Sequence, residues 1–546
     1  MRRRTAAALT AGAVGLVTVV GFSSPAATQP TPPELVLRAS IPTGGPGGSE
    51  IPAYDSRTKR IFVTNGITND ISVIDATNPT TVATTIELGD DVTVQSVAVR
   101  RGLGVAVVAP TNVVSAPGTA VLFDTASLAV LKRVEVGYLP DMVTFDPPGR
   151  RILVANEGEP RCIVGADPNA PTTNPAEATN PEGSVTIIDV SRGAAAATAT
   201  QVGFTGFSTA ELRAQGVRVG VWPGATAAQD LEPEYITTGG RFAYVTLQEN
   251  NALARIDMKT AKVDWVRSLG LKDHSLVGNE LDASDRPTTP PNGVFDPSTR
   301  PVVGMYMPDA VADVEIDGAS YLVTANEGDA REYVNRLDNN PDASGALSCF
   351  IDEIRLRDLG TAVSPAIAAV RDNNIAGRLK VTTQFPSVQA GSTWVTLASY
   401  GARSMSVWST DGALVADTGS LIERAVYEGV GASSLAWRSQ GIGQTASPDS
   451  RSDDKGPEPE GLVIGEAYGR TLAFVGLERA GGIMVFDLAV PTKPKLLQWA
   501  RSSDLSPEGL VFVAADDSPT GKPLVIVSYE AASGFDSSTA IWELRG

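Results

Sequence analysis

The chain has 546 residues, 42% of them hydrophobic, so it can bury a large core and is not wholesale disordered. A formal charge of −18 lacks the basic footprint of a nucleic-acid binder. One histidine and two cysteines argue against a His-rich or four-cysteine zinc site, an iron–sulfur cluster or a disulfide-dense scaffold, and restrict any histidine-based catalysis to His274.

Arg2, Arg3 and Arg4 precede an apolar run from Ala6 to Phe22, and Ser24-Pro25-Ala26-Ala27 offers a small-residue cleavage site. This pattern reads as a signal peptide over 1–27. Its removal takes the charge from −18 to −21, and the mature chain is expected to be secreted, starting with a linker over 28–33.

From residue 34 one pattern recurs: an apolar strand, a polar loop, then an alternating strand that often closes on Asp. It is seen at Arg60-Ile-Phe-Val-Thr-Asn65 with Ile71–Asp75, at Val105–Ala109 with Ala120–Asp124, and at Ile152–Asn156 with Ser184–Asp189. It returns at Phe242–Thr246 with Leu253–Asp257, and at Tyr321–Asn326 with Glu353–Leu356. The last three copies are Trp394–Ala398 with Ser404–Trp408, Leu472–Gly476 with Ile483–Asp487, and Leu524–Ser528 with Ala540–Leu544. Period-2 alternation and β-branched enrichment mark these as strands. A short strand opened by Pro and an acid precedes most copies, at Pro140-Asp141, Pro233-Glu234, Pro308-Asp309, Pro459-Glu460 and Pro507-Glu508. A fourth strand follows several copies, as at Thr81–Leu88.

Four strands repeated at such spacings predict an all-β fold, a β-propeller. The hairpin count favours eight blades. The sixth copy lacks the Pro-acid opening, which leaves seven as the alternative. Leu35–Ile41 resembles an outer strand, and the last copy has none, so the N-terminal strand is expected to complete the last blade. Residues 34–546 form one domain on this reading, with loop insertions at 160–182, 272–300, 330–350 and 430–456.

Several motifs resemble the choice-of-anchor I family: Asn326-Glu-Gly-Asp-Ala-Arg-Glu332, Arg451-Ser-Asp-Asp-Lys-Gly-Pro-Glu-Pro-Glu-Gly461, Gly401-Ala-Arg-Ser-Met-Ser-Val-Trp408, Asp282-Ala-Ser-Asp285 and Gly304-Met-Tyr-Met-Pro-Asp309. This bacterial exported family is similar also to animal mesenchyme-specific cell-surface glycoproteins. The resemblance implies a YVTN/WD40-like propeller outside the cytoplasm and no established reaction. The chain ends at Arg545-Gly546 without a sorting tail, so release into the medium or association with the wall is the expectation.

In a propeller the Pro-acid openings converge on one channel mouth. Asp141, Glu234, Asp309, Glu460 and Glu508 are candidate metal ligands together with Asp329, and Glu50 is a looser match. Loops between second and third strands bring Asn156-Glu-Gly-Glu159, Asn326-Glu-Gly-Asp329, Glu249-Asn250 and Glu478 to the same face. Candidate ligand-binding residues are Asn156, Glu157, Arg161, Asn326, Glu327, Arg331, Arg403 and Arg479. Crowded carboxylates need protons, arginines or a cation. Oxygen-only donors suit Ca2+, and no nucleotide, haem, zinc or iron–sulfur group is expected. The alternative for each acid is a turn cap at a strand start. Asp453-Asp454-Lys455 with Glu458 and Glu460 is read either as a loop over the mouth that gives a cation two or more acids, or as a solvated loop. His274 is expected on the surface. Tyr400 and Tyr529 end strands and either contact ligand or pack loop bases. Cys162 and Cys349 follow the two Asn-Glu-Gly loops, so a disulfide between them is expected in an exported protein.

The leading functional expectation is a monomeric secreted binding protein that presents an acidic, calcium-loaded face to an extracellular protein, glycan or small ligand, with no membrane span. The alternative is a calcium-dependent hydrolase of phosphate or lactone esters.

Overall fold

A computed structural model describes residues 32–111, 116–160, 180–286, 295–335, 347–430, 449–531 and 535–546, with backbone alone at 334–335, 347–349 and 430. The leader, Arg161 and Cys162 lie outside the described residues, as does the Cys349 side chain, so the expected disulfide falls there too.

The Asp that ends most of the third strands has a local cause. The Asp75 carboxylate accepts from the Thr77 amide at 2.8 Å, Asp124 from Ser127 at 2.7 Å, Asp189 from Ser191 at 2.8 Å and Asp487 from Ala489 at 2.9 Å. These bonds fold the chain back by satisfying amides that leave the ladder. The Thr77 and Ser191 hydroxyls, with these amides, hold the carboxyls of Asp75 and Asp189 below their ordinary range, as the Ser127 amide and hydroxyl hold that of Asp124.

The strands so connected form seven four-stranded antiparallel sheets among the described residues. The first three are Pro52–Asp55, Arg60–Asn65, Asp70–Asp75 and Val82–Glu87; Val92–Arg100, Leu103–Pro110, Thr119–Asp124 and Val130–Glu135; and Pro140–Phe145, Arg151–Asn156, Ser184–Asp189 and Thr198–Gly203. The fourth is Ile236–Gly239, Phe242–Leu247, Ala252–Asp257 and Lys262–Ser268. The fifth is Val311–Ile316, Ala319–Asn326, Ser404–Ser409 and Leu414–Asp417, and the sixth is Pro459–Ala467, Arg470–Leu477, Ile483–Asp487 and Lys495–Ala500. The seventh is Pro507–Val513, Leu524–Tyr529 and Ser537–Arg545, completed by Glu34–Gly44. The chain is an all-β propeller, closed by its first strand as expected, with Leu35 opposite Leu544 and Ile41 opposite Thr539.

The favoured eight-hairpin count double-counts one blade. Ala319–Asn326 pairs not with Glu353–Leu356 but with Ser404–Ser409, in the register Asn326 to Ser404 and Leu322 to Trp408. Residues 327–403 are inserted between the two halves of that hairpin. Glu353–Arg355, Lys380–Thr382 and Ala398–Ser399 join Val303–Met305 and Leu271–Asp273 in a separate five-stranded sheet. This sheet has its own core of Leu281, Ala283, Val302, Leu356, Ile367, Leu379, Val381 and Leu397. Stretches expected as bare loops at 272–300 and 330–350 therefore contribute strands, including the hairpin Glu332–Asn335 with Leu347–Ile351.

Apolar residues of facing sheets interdigitate around the ring. Phe62, Val73, Val97, Val121 and Phe123 join the first two sheets, and Ile41, Ile61, Ile74, Leu524, Ile526 and Ile541 join the seventh to the first. Trp408 is 1% exposed, its indole N–H donates to Thr324 Oγ1 at 2.8 Å, and its ring meets Tyr306 edge-on at 5.0 Å. Trp408→Ala should cost about 3–5 kcal/mol. The shift of the urea unfolding midpoint checks this, and a neutral result would contradict the pairing of Ser404–Ser409 into the fifth sheet.

Candidate functional site

The innermost strands deliver the acids. Asp141, Glu460 and Glu508 are second residues of the strands that open the third, sixth and seventh sheets. Glu50, Glu234 and Asp309 lie just before the corresponding strands of the first, fourth and fifth. The second sheet adds none: its strand opens Val92-Thr93-Val94, and Asp90 and Asp91 before it are exposed. At this level the blades touch through backbone. A Cβ on Gly461 would lie 1.9 Å from the Glu508 carbonyl oxygen, so the Glu-Gly pair is what lets the sixth and seventh blades approach.

A second tier comes from the ends of the second strands. Glu157, Glu327, Glu478 and Glu530 each follow the last residue of such a strand, and Glu249 lies one residue further on in the fourth sheet. Asn156 and Asn326, expected among the ligand-binding residues, are both 0% exposed. Asn156 Nδ2 donates to Thr186 Oγ1 at 3.0 Å, and Asn326 Nδ2 donates to Ser406 Oγ at 2.7 Å. Each asparagine ties its strand to the next and so aims the following glutamate. Gly401, at φ 71°, completes the turn beside Glu327, where a Cβ would lie 2.0 Å from the Glu327 carbonyl oxygen.

Members of the two tiers, with Glu458 from the loop before Pro459, converge into three groups. Carboxylate oxygens of Asp141, Glu157 and Glu234 lie within 4.8 Å of one another, as do those of Glu327, Glu458 and Glu478, and those of Glu460, Glu478 and Glu508. Further along the innermost strands the channel widens into a cavity of about 510 Å³ lined by residues including Ile51, Val97, Met142, Tyr235, Leu510 and Phe512.

Two of these groups have neutralising contacts. Lys455 reaches into the mouth and pairs with Glu327 at 2.6 Å, Glu458 at 3.2 Å and Asp329 at 3.4 Å. Arg479 pairs with Glu478 at 2.7 Å and Glu458 at 3.4 Å, and Arg451 with Glu458 at 2.6 Å. The 453–455 loop thus covers the mouth, but it brings an ammonium rather than ligands. Asp453 bonds Arg355 and Arg378, and Asp454 pairs with Arg451 and Lys380. Glu460 and Glu508 have no such cation of their own among the described residues: burial, then repulsion from Glu478 and Glu508 for Glu460 and from Glu530 and Glu478 for Glu508, pushes both carboxyls up.

The domain description "Choice-of-anchor I domain" matches residues 50–491. The chain belongs to the choice-of-anchor I family. Gigasin-3a of Magallana gigas is 28% identical over 200 residues, 33% of this chain and 68% of its own length. Similar solved structures include Kuenenia stuttgartiensis hydrazine synthase, at 11% identity and TM-score 0.42, covering 89% of this chain and 93% of that one. The Cps50 (Swd1) β-propeller domain of Myceliophteria thermophila matches at 7% identity and TM-score 0.42, covering 94% and 99%. A chain of a mitotic checkpoint complex matches at 9% and 0.44, covering 97% and 99%.

Enclosure decides the protonation of this choice-of-anchor I mouth. Desolvation, then repulsion from Glu530 and Asp141, pushes Glu50 up to about 8. Desolvation takes Asp141 to about 7 and Glu157, Glu234, Glu249, Asp309, Glu460 and Glu508 well above the carboxylate range. Glu327 rises to about 7 because one ammonium does not offset its burial. Glu458, facing Lys455, Arg451 and Arg479 together, falls to about 2.

Other expected site residues are not members of these three carboxylate groups. Arg331 is fully buried and bonds Asp230 at 2.8 Å and Glu232 at 3.2 Å. Arg403 bonds Glu423 at 2.7 Å. Asp329 is at the rim, its side chain 51% exposed. His274 is not on the surface: it is 1% exposed, its Nδ1 lies 2.8 Å from the Asn279 carbonyl, and burial beside Lys272 lowers it to about 3. Tyr400 and Tyr529 are buried, with the Tyr400 hydroxyl donating to the Asp352 carbonyl at 2.9 Å. Glu530 was missed by sequence reading, although Tyr529-Glu530 stands where Asn156-Glu157 and Asn326-Glu327 stand in their blades.

Two outcomes follow for the folded protein. Near about pH 5 it retains protons on Glu50, Asp141 and Glu327 that the unfolded chain has released, so stability falls as pH rises through the range of about 5 to 8. Melting in chelator should drop by roughly 5 °C over that interval; a flat or rising profile would contradict the enclosure. Lys455→Met leaves Glu327 without its ammonium and should cost about 3–5 kcal/mol in the urea midpoint at neutral pH, with much of the loss recovered on acidification.

Proposed function

We propose that the protein is an exported binding protein whose propeller mouth holds a calcium ion between Asp141, Glu157 and Glu234 and presents it to an extracellular ligand. The observation that carries this reading is the asymmetry of the mouth. The group built on Glu327, Glu458 and Glu478 has Lys455, Arg451 and Arg479. The Asp141 group has further acids around it, Glu249 and Glu232 among them, and makes no ion pair among the described residues. One oxygen of Glu234 and one of Glu249 are buried without a hydrogen-bond partner. Donors within 4.8 Å of one another fit one ion with Ca–O distances of about 2.3–2.6 Å, and the oxygen-only set suits Ca2+ rather than zinc.

Family membership supports a surface or exported setting, and no helix among the described residues is long and apolar enough to cross a membrane. A calcium ion here would also polarise an ester, which is the hydrolase alternative. The described arginines expected to hold a phosphate, Arg331, Arg403 and Arg479, are each bonded to carboxylates, and this favours binding over hydrolysis.

Calorimetric titration of the mature chain with Ca2+ tests the proposal. Asp141→Asn and Glu234→Gln should each weaken binding by roughly tenfold or more, while Asp124→Asn, in an outlying turn, should not. Calcium should also flatten the pH dependence of melting, because it replaces the protons that the cluster otherwise takes up. Failure of the wild-type chain to bind at the mouth, or indifference to both substitutions, would sink the reading.

A further inference from the structure

The channel has a second end. Each innermost strand runs from its acid toward the opposite face of the ring, and the cavity of about 510 Å³ lies along that course. It begins just beyond the acids, at Ile51, Met142, Tyr235 and Gly509, and reaches the turns at Ser56, Arg101 and Ala514. Its size falls within the range of about 300–1,000 Å³ that small-molecule sites occupy. Innermost strands pair on one side only, so their other edges turn main-chain N–H and C=O groups toward the axis. Tyr235 adds a hydroxyl that makes no hydrogen bond among the described residues. Such a lining suits a ligand rich in hydroxyls, and Val97, Met142 and Leu510 offer apolar wall to its C–H faces.

The turns at this end carry cations. Arg57 donates to the Arg101 carbonyl at 2.9 Å, Arg101 to the Pro148 carbonyl at 2.9 Å, and Arg100 to the Pro147 carbonyl. Guanidinium groups thus tie together the turns of the first three sheets. Lys59 donates to the Asp517 carbonyl at 2.7 Å. Main-chain carbonyls orient these four cations without neutralising them, and none of the four makes an ion pair among the described residues, whereas Arg151 nearby pairs with Asp146. Arg100 and Arg101, which line the cavity, keep most of their donors unspent. Burial, then repulsion from Arg101, lowers the Arg100 guanidinium from its ordinary range, and a bound anion relieves that crowding. Two acids also line the cavity. Asp55 is buried and accepts from the Thr58 hydroxyl at 2.9 Å and the Thr125 hydroxyl at 2.6 Å. Asp517 is exposed on the turn of the seventh sheet, where Lys59 reaches its carbonyl.

We propose that this end of the channel binds a small hydroxylated anion of the sugar-acid or sugar-phosphate class, its hydroxyls in the cavity and its anionic group on Arg100 and Arg101. The guanidinium fork accepts carboxylate and phosphate alike. The site uses none of the mouth carboxylates and stands whether or not calcium binds at Asp141.

Calorimetric titration of the mature chain in chelator tests this, with glucuronate, glucose-6-phosphate, glucose and octanoate as probes. Chelator keeps the outcome separate from that of the calcium site. At least one of the two sugar anions should bind, roughly tenfold or more tighter than glucose or octanoate, and the one that binds more tightly identifies the anionic group. Added salt should weaken it. Arg100→Gln with Arg101→Gln should cost roughly tenfold or more in that affinity and leave melting unchanged, since both side chains are exposed. Tyr235→Phe, which keeps the ring and removes only the hydroxyl, should weaken the same ligand several-fold. Failure of both sugar anions to bind, equal binding of glucose or octanoate, or indifference to the arginine pair overturns the proposal. Indifference to Tyr235→Phe also overturns it, because the anion would then sit on the turns outside the cavity.

Discussion

Electrostatic crowding at the channel mouth is the constraint to which the surrounding structure answers. Radial symmetry brings one end of every innermost strand to the axis, so an acid repeated there meets its copies. Two unit charges about 5 Å apart at an effective dielectric of about 20 repel by about 3 kcal/mol. The molecule answers this differently around the ring. Lys455, Arg451 and Arg479 neutralise one sector, while the sectors of Glu460 with Glu508 and of Asp141 with Glu157 and Glu234, the latter making no ion pair among the described residues, hold carboxyls raised by burial. That uneven answer gives an otherwise repetitive ring a distinct side.

Much of the ring was legible in the sequence, because its signal is a repeated dipeptide on a repeated strand. Pro140-Asp141, Pro459-Glu460 and Pro507-Glu508 recur at the same place in the repeat, and symmetry alone then predicts their convergence. The N-terminal strand was legible for a similar reason: an unpaired outer strand at one end matched a blade lacking one at the other. Pairing across the long insertion was not legible. Alternation shows that Tyr321–Asn326 and Ser404–Trp408 are strands, but nothing local says that they are partners when residues 327–403 intervene.

Side-chain roles were the least legible. Asn156 and Glu157 are neighbours on the same loop, yet one turns into the sheet to hold Ser184 and Thr186 while the other faces the channel. That split depends on which face of the last strand residue is buried, and a strand end does not reveal it. Arg331 and Arg403 look like ligand clamps in their motifs, but each is the counter-charge of acids outside its motif, Asp230 and Glu232 for one, Glu423 for the other. Lys455 looked like one charge in a polar run; only the fold shows that it enters the mouth.

The pairing of Glu34–Gly44 with Ser537–Arg545 has a kinetic consequence. These strands share a sheet although almost the whole chain separates them, so the last sheet stays three-stranded until the two ends meet. Loop-closure entropy grows only logarithmically with length, and the equilibrium penalty for joining them is modest. The rate is another matter, since contacts of such high order form late. During that interval the open edge along Ser537–Arg545 is a template for any other extended chain. How long the protein is exposed to misassembly is therefore set by the time its two ends take to find each other.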